Sequence, residues 1–271
     1  MASDSQRGVR TVEVSCRLLA ILADAPQPLM LRDVARLAEL TPGQAHAHLV
    51  SLRKMDMVEQ DADTGRYRLG PFALHVGLAR LRATDPYRMA AAGAPELAER
   101  VGLMVALTVW GTYGPTIVLV QEAGHQIHAN VRAGGVFNVG GTATGRVFAA
   151  HLPPSMVIPV LEHDIERAKV QSGSAHRSRE AFEAEIKGIR RTGFATTLDK
   201  PVPGISAAAA PVFDHGGRMQ LAVTLIGPTE SIDITADGPH VRTLLDFTRG
   251  LSRKLGWRGP VADRPAVEMA Q

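Results

Sequence analysis

Gln44 and His46 stand two residues apart, directly after Thr41-Pro42 and ahead of an apolar repeat. A glutamine can pair with an adenine edge, and a histidine can donate to a guanine edge or a phosphate. Both fall on positions that the apolar repeat leaves outside, so at a helix start they could read bases. Arg53 and Lys54 follow at the far end of the same segment, and Arg66 and Arg68 come after the turn Asp61-Ala62-Asp63-Thr64-Gly65. These four could bind phosphate, and Arg7 and Arg10, in an expected flexible arm, could reach the minor groove or the backbone. Placement carries this reading, because residues 1–80 hold ten Lys and Arg against nine Asp and Glu.

Other chemistries fit less well. The chain has ten histidines, but His46 and His48 lie about 200° apart around a helix and cannot share an ion. His125 and His128 flank a strand start, and no H-E-x-x-H or Cys/His spacing occurs, so no metal site is expected. Gly140 and Gly145 have the spacing of a phosphate loop, yet Arg146-Val147 replaces its Lys-Ser/Thr pair, so nothing would hold magnesium. Gly204-Ile205-Ser206-Ala207-Ala208 nearly matches the G-x-S-x-G nucleophile elbow but lacks the last glycine. A serine hydrolase is therefore the rival from another functional class. The expectation is no enzyme, no catalytic residue and no cofactor.

The elements that would position these residues fit a chain of 271 residues, long enough for two domains. The formal charge of +3 permits a polyanionic partner without requiring one. Cys16, the only cysteine, cannot form an internal disulfide and is expected to be buried in a helix. No apolar run of about 18 residues occurs, and the opening MASDSQRGVR lacks an apolar signal core. These features predict a cytoplasmic protein with no membrane partner.

Periodicity predicts helices over 10–24 and from about Leu31 to Leu40. A third runs from the Thr41-Pro42 start to about Met55, burying Ala45, Leu49, Leu52 and Met55. Strands at Val58–Gln60 and Tyr67–Leu69 complete a winged helix-turn-helix. An amphipathic helix over Phe72–Arg82, with Leu74, Leu78 and Leu81 on one side, leads to a break at Thr84-Asp85-Pro86. Beyond it, strands are expected at Leu103–Trp110, Thr116–Gln121, Gln126–Arg132, Ile205–Phe213 and Met219–Ile226. Helices are expected at Arg146–His151, Ser155–His163, Arg179–Arg191 and Gly238–Leu255. Strands grouped around helices imply an α+β domain with an antiparallel sheet. The expected organisation is an arm at 1–9, a mainly α DNA-binding domain at 10–70, and a linker helix at 71–85. A sensor domain follows at 86–258, with a disordered tail at 259–271.

The run VEVSCRLLAILADAPQPLMLRDVARLAEL through DADTGRYRLG resembles the DNA-binding half of the IclR family of transcriptional regulators. GGTATGRVFAA, TGFATTLD and GISAAAAPVFDHGG are similar to segments of that family's effector-binding half, in the same order. Together they cover roughly residues 10–257. In the third helix, Gly43 and Ala47 stand where the family carries hydroxyl or basic DNA contacts. That departure motivates an alternative, a ligand sensor or scaffold without specific DNA binding.

The resemblance implies a GAF-like effector-binding domain, a small organic acid as effector, and self-association into dimers that pair into tetramers. It also implies a pseudo-palindromic double-stranded DNA operator. The matching ligand positions are Ala143, Thr144, Gly145, Ile205, Ala207, Thr224 and Ile226, with Ala129 and Asp199 less closely matched. Independently of the family, Thr142 or Thr144 should cap a helix from about Gly145, leaving backbone N–H groups and a positive dipole end for a carboxylate. The small and aliphatic residues around it would shape an apolar cavity, or would only let the helix pack closely on the sheet.

Overall fold

The computed structural model describes residues 8–123, 131–172 and 179–259, which divide into two compact units at Thr84/Asp85. In the first unit, α1 (Arg10–Asp24), α2 (Leu31–Leu37) and α3 (Pro42–Lys54) precede the hairpin β1 (Val58–Gln60) and β2 (Tyr67–Leu69). Helix α4 (Pro71–Arg82) follows. Leu18, Leu22, Leu29, Val34, Ala38, Leu49, Val58 and Tyr67 form the core. Leu29 exchanges backbone hydrogen bonds with Tyr67, at 3.0 and 2.7 Å, and so bridges the segment before α2 to β2 of the wing.

Several expectations are corrected here. Cys16 is exposed, because it lies two residues from Leu18 and thus on the far side of α1. Met55 is 64% exposed: the helix ends at Lys54, and Asp56, at φ 51°, turns the chain away from the buried stripe. Helix α2 stops at Leu37, and Glu39 at φ 55° prevents its extension to Leu40. Helix α4 buries no residue. Phe72, Leu74, Val76, Leu78 and Leu81 are all exposed on it, so its apolar groups form no single inward stripe. Arg10 begins α1 and is not part of an arm.

The second unit opens with α5 (Pro86–Val101), β3 (Met104–Gly111) and β4 (Gly114–Gln121). Three helices follow: α6 (Ala143–His151), α7 (Pro154–Ser172) and α8 (Arg179–Thr192). The short strand β5 (Ala195–Thr197), then β6 (Ile205–Phe213), β7 (Met219–Pro228) and α9 (Pro239–Lys254) complete it. The sheet is antiparallel throughout, in the order β4-β3-β7-β6-β5.

Alternation sorts its side chains into two faces. Val105, Leu107, Val212, Val223 and Leu225 share a core with Leu97 of α5 and Leu244 of α9. Ala209 and Ala222, on the other face, pack with Val147 and Phe148 of α6 and Ile186 and Ile189 of α8. Alanines on that face let α6 lie close to the strands.

Helix α5 and strand β5 were not expected from the sequence. Asp85 caps α5, accepting the Arg88 N–H at 3.1 Å, and Gly102 ends it in the left-handed region. Both signals are visible in the sequence, but Gly93 and Pro95 obscure the helical repeat between them. The strand expected at Gln126–Arg132 falls mostly outside the described residues. Val131 and Arg132 are not in a strand, and the chain next bridges β4 through Val136 and Thr116. The tail expected to be disordered also lies outside the described residues, apart from Gly259. Among the described residues, no helix is long and apolar enough to cross a membrane.

Candidate functional site

At the start of α3, the Thr41 hydroxyl accepts the Gln44 N–H at 3.3 Å, while Gln44 Oε1 accepts the Thr41 N–H at 3.0 Å. This reciprocal capping box satisfies two N–H groups that a helix end otherwise leaves open. Its T-x-x-Q signature is plain in Thr41-Pro42-Gly43-Gln44, yet the sequence reading took only the threonine from it. The consequence for chemistry is specific. With Oε1 engaged, Gln44 keeps its amide N–H groups as donors, and pairing with both an acceptor and a donor on adenine would require breaking the box.

Gly43, His46 and Ala47 are exposed beside Gln44. A Cβ on Gly43 would meet nothing within 4 Å, so packing does not require glycine there. His48, by contrast, is half-buried and bonds Ser15 through Nδ1 at 2.9 Å, tying α3 to α1.

The basic residues fall into two groups. Arg10 and Lys54 are exposed, at the first turn of α1 and the last turn of α3. Arg53 donates to Gln60 Oε1 at 2.9 Å, Arg66 donates to the Pro28 carbonyl at 3.1 Å, and Arg68 pairs with Glu59. Each of these arginines spends one N–H inside the unit and retains others of its five. The wing tip itself is acidic. Asp61 accepts the Thr64 N–H and hydroxyl, both at 2.8 Å, and these bonds hold its carboxyl below the usual range. Asp63 is exposed beside it. The wing's cationic side chains, Arg66 and Arg68, thus stand away from its tip, which carries carboxylates. Arg7 lies outside the described residues.

In the second unit, Thr142 caps α6 by accepting the Gly145 N–H at 2.9 Å, and its own hydroxyl donates to the Asn138 carbonyl at 2.7 Å. Thr144 is buried and bonds Thr224 of β7, hydroxyl to hydroxyl, at 2.8 Å. Ile226, two residues from Thr224 on the same face, packs with Ile205, Ala207, Met104, Ala106, Val120 and Phe137. The structure thus brings Ala143, Thr144, Ile205, Ala207, Thr224 and Ile226 to one region of one sheet face.

The Gly145 N–H is taken by the Thr142 cap, and any Cβ there would collide with the Asn138–Val139 backbone, so close packing requires glycine at this position. The Ala143 and Thr144 N–H groups have no acceptor among the described residues. Asp199 is exposed, at φ 55°, and accepts the Gly204 N–H. Ala129 lies outside the described residues.

Arg146, which no sequence motif marks as a site residue, is a buried cation at this end of α6. It is 5% exposed, pairs with Glu185 of α8, and donates to the carbonyls of Thr196 at 2.7 Å and Thr142 at 3.2 Å. The guanidinium joins α6, α8 and β5 behind the Thr142 cap. Ser206, the residue of the near-miss nucleophile elbow, is fully buried. Its oxygen accepts the Asp199 N–H at 3.0 Å and bonds Thr229 at 2.9 Å.

The first unit is thus a winged helix-turn-helix, the architecture of a DNA-binding module, and the second an antiparallel α+β unit. The profile of the IclR helix-turn-helix domain matches residues 11–62, and that of the bacterial transcriptional regulator IclR C-terminal domain matches residues 80–253. This protein belongs to the IclR family of DNA-binding transcriptional regulators. It is 30% identical to the glycerol operon regulatory protein of Streptomyces griseus, over 92% of this chain and 98% of that one. The Streptomyces coelicolor protein of the same name is 28% identical, with the same coverage. The crystal structure of Pseudomonas aeruginosa HmgR superposes with a TM-score of 0.83 at 32% identity, covering 93% of this chain and all of that one.

Proposed function

We propose that this regulator binds a pseudo-palindromic operator as a dimer, and that a small organic acid held at the start of α6 alters that binding. The observation that carries the effector reading is the unclaimed Ala143 and Thr144 N–H pair above a sheet face lined by small and aliphatic residues. A helix N-terminus offers N–H donors and a positive dipole end to a carboxylate, and the aliphatic floor would take the rest of the molecule. Effector binding changes operator affinity only through a difference in affinity for two states of the protein, typically about 1–3 kcal/mol. In this reading the chain carries out no reaction, since the Ser206 hydroxyl is engaged within the fold.

On DNA, Gln44 and His46 contact base edges, and Thr41, Gly43 and Ala47 allow the start of α3 to approach the groove. Arg53, Lys54, Arg66 and Arg68 hold the backbone, with Arg7 and Arg10 contributing from the N-terminal side. One winged helix makes few base contacts, so specificity calls for two copies. The apolar groups of α4 and of α1 supply the surface for pairing, and the family resemblance adds tetramers.

Two measurements test these readings. Gel shifts with the DNA upstream of the protein's own gene should show a saturable complex that outcompetes random DNA. Equal affinity for both would overturn sequence-specific binding. Calorimetry with a panel of small carboxylates should find a ligand for the wild type that Ala143→Trp no longer binds. Glycerol joins the panel because two relatives are named for a glycerol operon. A ligand bound equally by both proteins would place the effector elsewhere.

A further inference from the structure

A cavity of about 690 Å³ opens between α6, α7 and α8. None of Ala143, Thr144, Ile205, Ala207, Thr224 and Ile226 lines it, so it is separate from the effector cradle. Its floor is built from buried Ala149, Val157 and Ile186, and Leu161, Ile165 and Phe182 form half-buried walls. Its volume lies within the roughly 300–1,000 Å³ typical of small-molecule sites.

The polar groups around this cavity restrict what it can hold. Glu162, Asp164, Glu183, Lys187 and Arg190 stand at its edge. The Asp164 carboxylate accepts the Val139 N–H at 2.8 Å and keeps its charge, and Arg190 donates to the Ala150 carbonyl, so three carboxylates and two cations share the rim. A carboxylate ligand would meet Glu162 and Glu183, and an ammonium ligand would meet Lys187 and Arg190. A ligand charge of either sign would therefore meet a like charge at the rim.

At the other end, Asn138 Oδ1 accepts the Gly141 N–H at 2.6 Å. That bond fixes the loop and orients the amide, whose nitrogen has no acceptor among the described residues. A ligand with one oxygen acceptor would satisfy it. The cradle at α6 suits an anion; this cavity suits an uncharged molecule.

We infer that the cavity is a second ligand site, for an uncharged aromatic or alicyclic molecule bearing one carbonyl, ether or hydroxyl oxygen. The probe is 6-propionyl-2-dimethylaminonaphthalene, a neutral aromatic ketone whose emission shifts to the blue on leaving water. Titrated into the full-length protein, it should bind saturably with blue-shifted emission. Excess acetate or another small carboxylate should not displace it.

Ile158→Glu puts a charge at a lining position that is already 37% exposed, so the fold should survive, and binding should weaken at least tenfold. Asn138→Asp keeps an acceptor for the Gly141 N–H but removes the amide donor, and should weaken binding about three- to tenfold. Helix α4 is the competing apolar surface, so Leu74→Glu is the control and should leave the titration unchanged. Circular dichroism and the melting temperature establish that each variant is folded. Undiminished binding by both cavity variants, loss of binding in Leu74→Glu, or no saturable binding by the wild type would each overturn the inference.

Discussion

Thr41 caps helix α3 and Thr142 caps helix α6, and in both the threonine hydroxyl accepts the N–H three residues on. What surrounds the two starts is opposite. Thr41, Gly43 and Gln44 are exposed, whereas Ala143, Thr144, Gly145 and Arg146 are all buried. In water, a helix end is screened and presents side chains to a large, hydrated partner. Inside the fold, the same end keeps its field, and each polar atom must be satisfied or left for a ligand. Local sequence therefore writes the cap, while burial decides whether the end suits a polyanion or one small anion.

Breaking the buried end should have the largest effect. Arg146→Ala removes a buried guanidinium that pairs with Glu185 and donates to two carbonyls, and should cost about 3–5 kcal/mol, as for other broken buried pairs. Urea unfolding followed by tryptophan emission reads this directly, because Trp110 and Trp257 both lie in the second unit. A cost below about 1 kcal/mol would show that the clamp is replaceable by water.

The C-terminal end of α6 supplies a pH test. His151 is pushed down to about 4 from 6.5, first by burial and then by the Arg190 charge. The unfolded chain thus binds the extra proton between those two values, so stability should fall as pH drops from 6.5 towards 4. The loss should be on the order of 2–3 kcal/mol. His151→Phe, which keeps a ring beside Phe213, should flatten that part of the profile. An unchanged profile would assign the pH dependence to other groups.

Thr224→Val sharpens the comparison further. It leaves the buried Thr144 hydroxyl without its partner and should cost about 1–3 kcal/mol, again by urea unfolding. The exposed end should respond differently. Gln44→Glu preserves an acceptor for the capping box, so the melting temperature should hold. Operator affinity should nevertheless drop by at least about 1–3 kcal/mol through a lost base contact and added charge. If Gln44→Glu binds the operator normally, Gln44 is a cap and reads nothing. The smallest effect belongs to Thr41→Ala, about 1 kcal/mol of helix stability, visible in the thermal melt of the first unit.

What the sequence determined by itself was everything with a short period or a local signature. The buried repeat Leu18, Leu22 and Ala45, Leu49, the Thr41-Pro42 start, the wing strands and the β6–β7 hairpin around His215-Gly216-Gly217 all follow from backbone geometry. The motif order added the family. Where local signals conflicted, as Gly93 and Pro95 did within α5, the reading failed.

Tertiary structure alone decided the rest, because it depends on which distant groups meet. That Arg146 would be buried against Glu185, 39 residues away, is not a local property. Nor is the choice of partner for Thr144, 80 residues distant at Thr224. Arg53, Arg66 and Arg68 read in sequence as free cations, and the fold gives each a partner within its own unit. The cavity between α6, α7 and α8 has no sequence signature at all. Its walls are ordinary apolar helix positions, and only the spacing at which three helices come to rest leaves room between them.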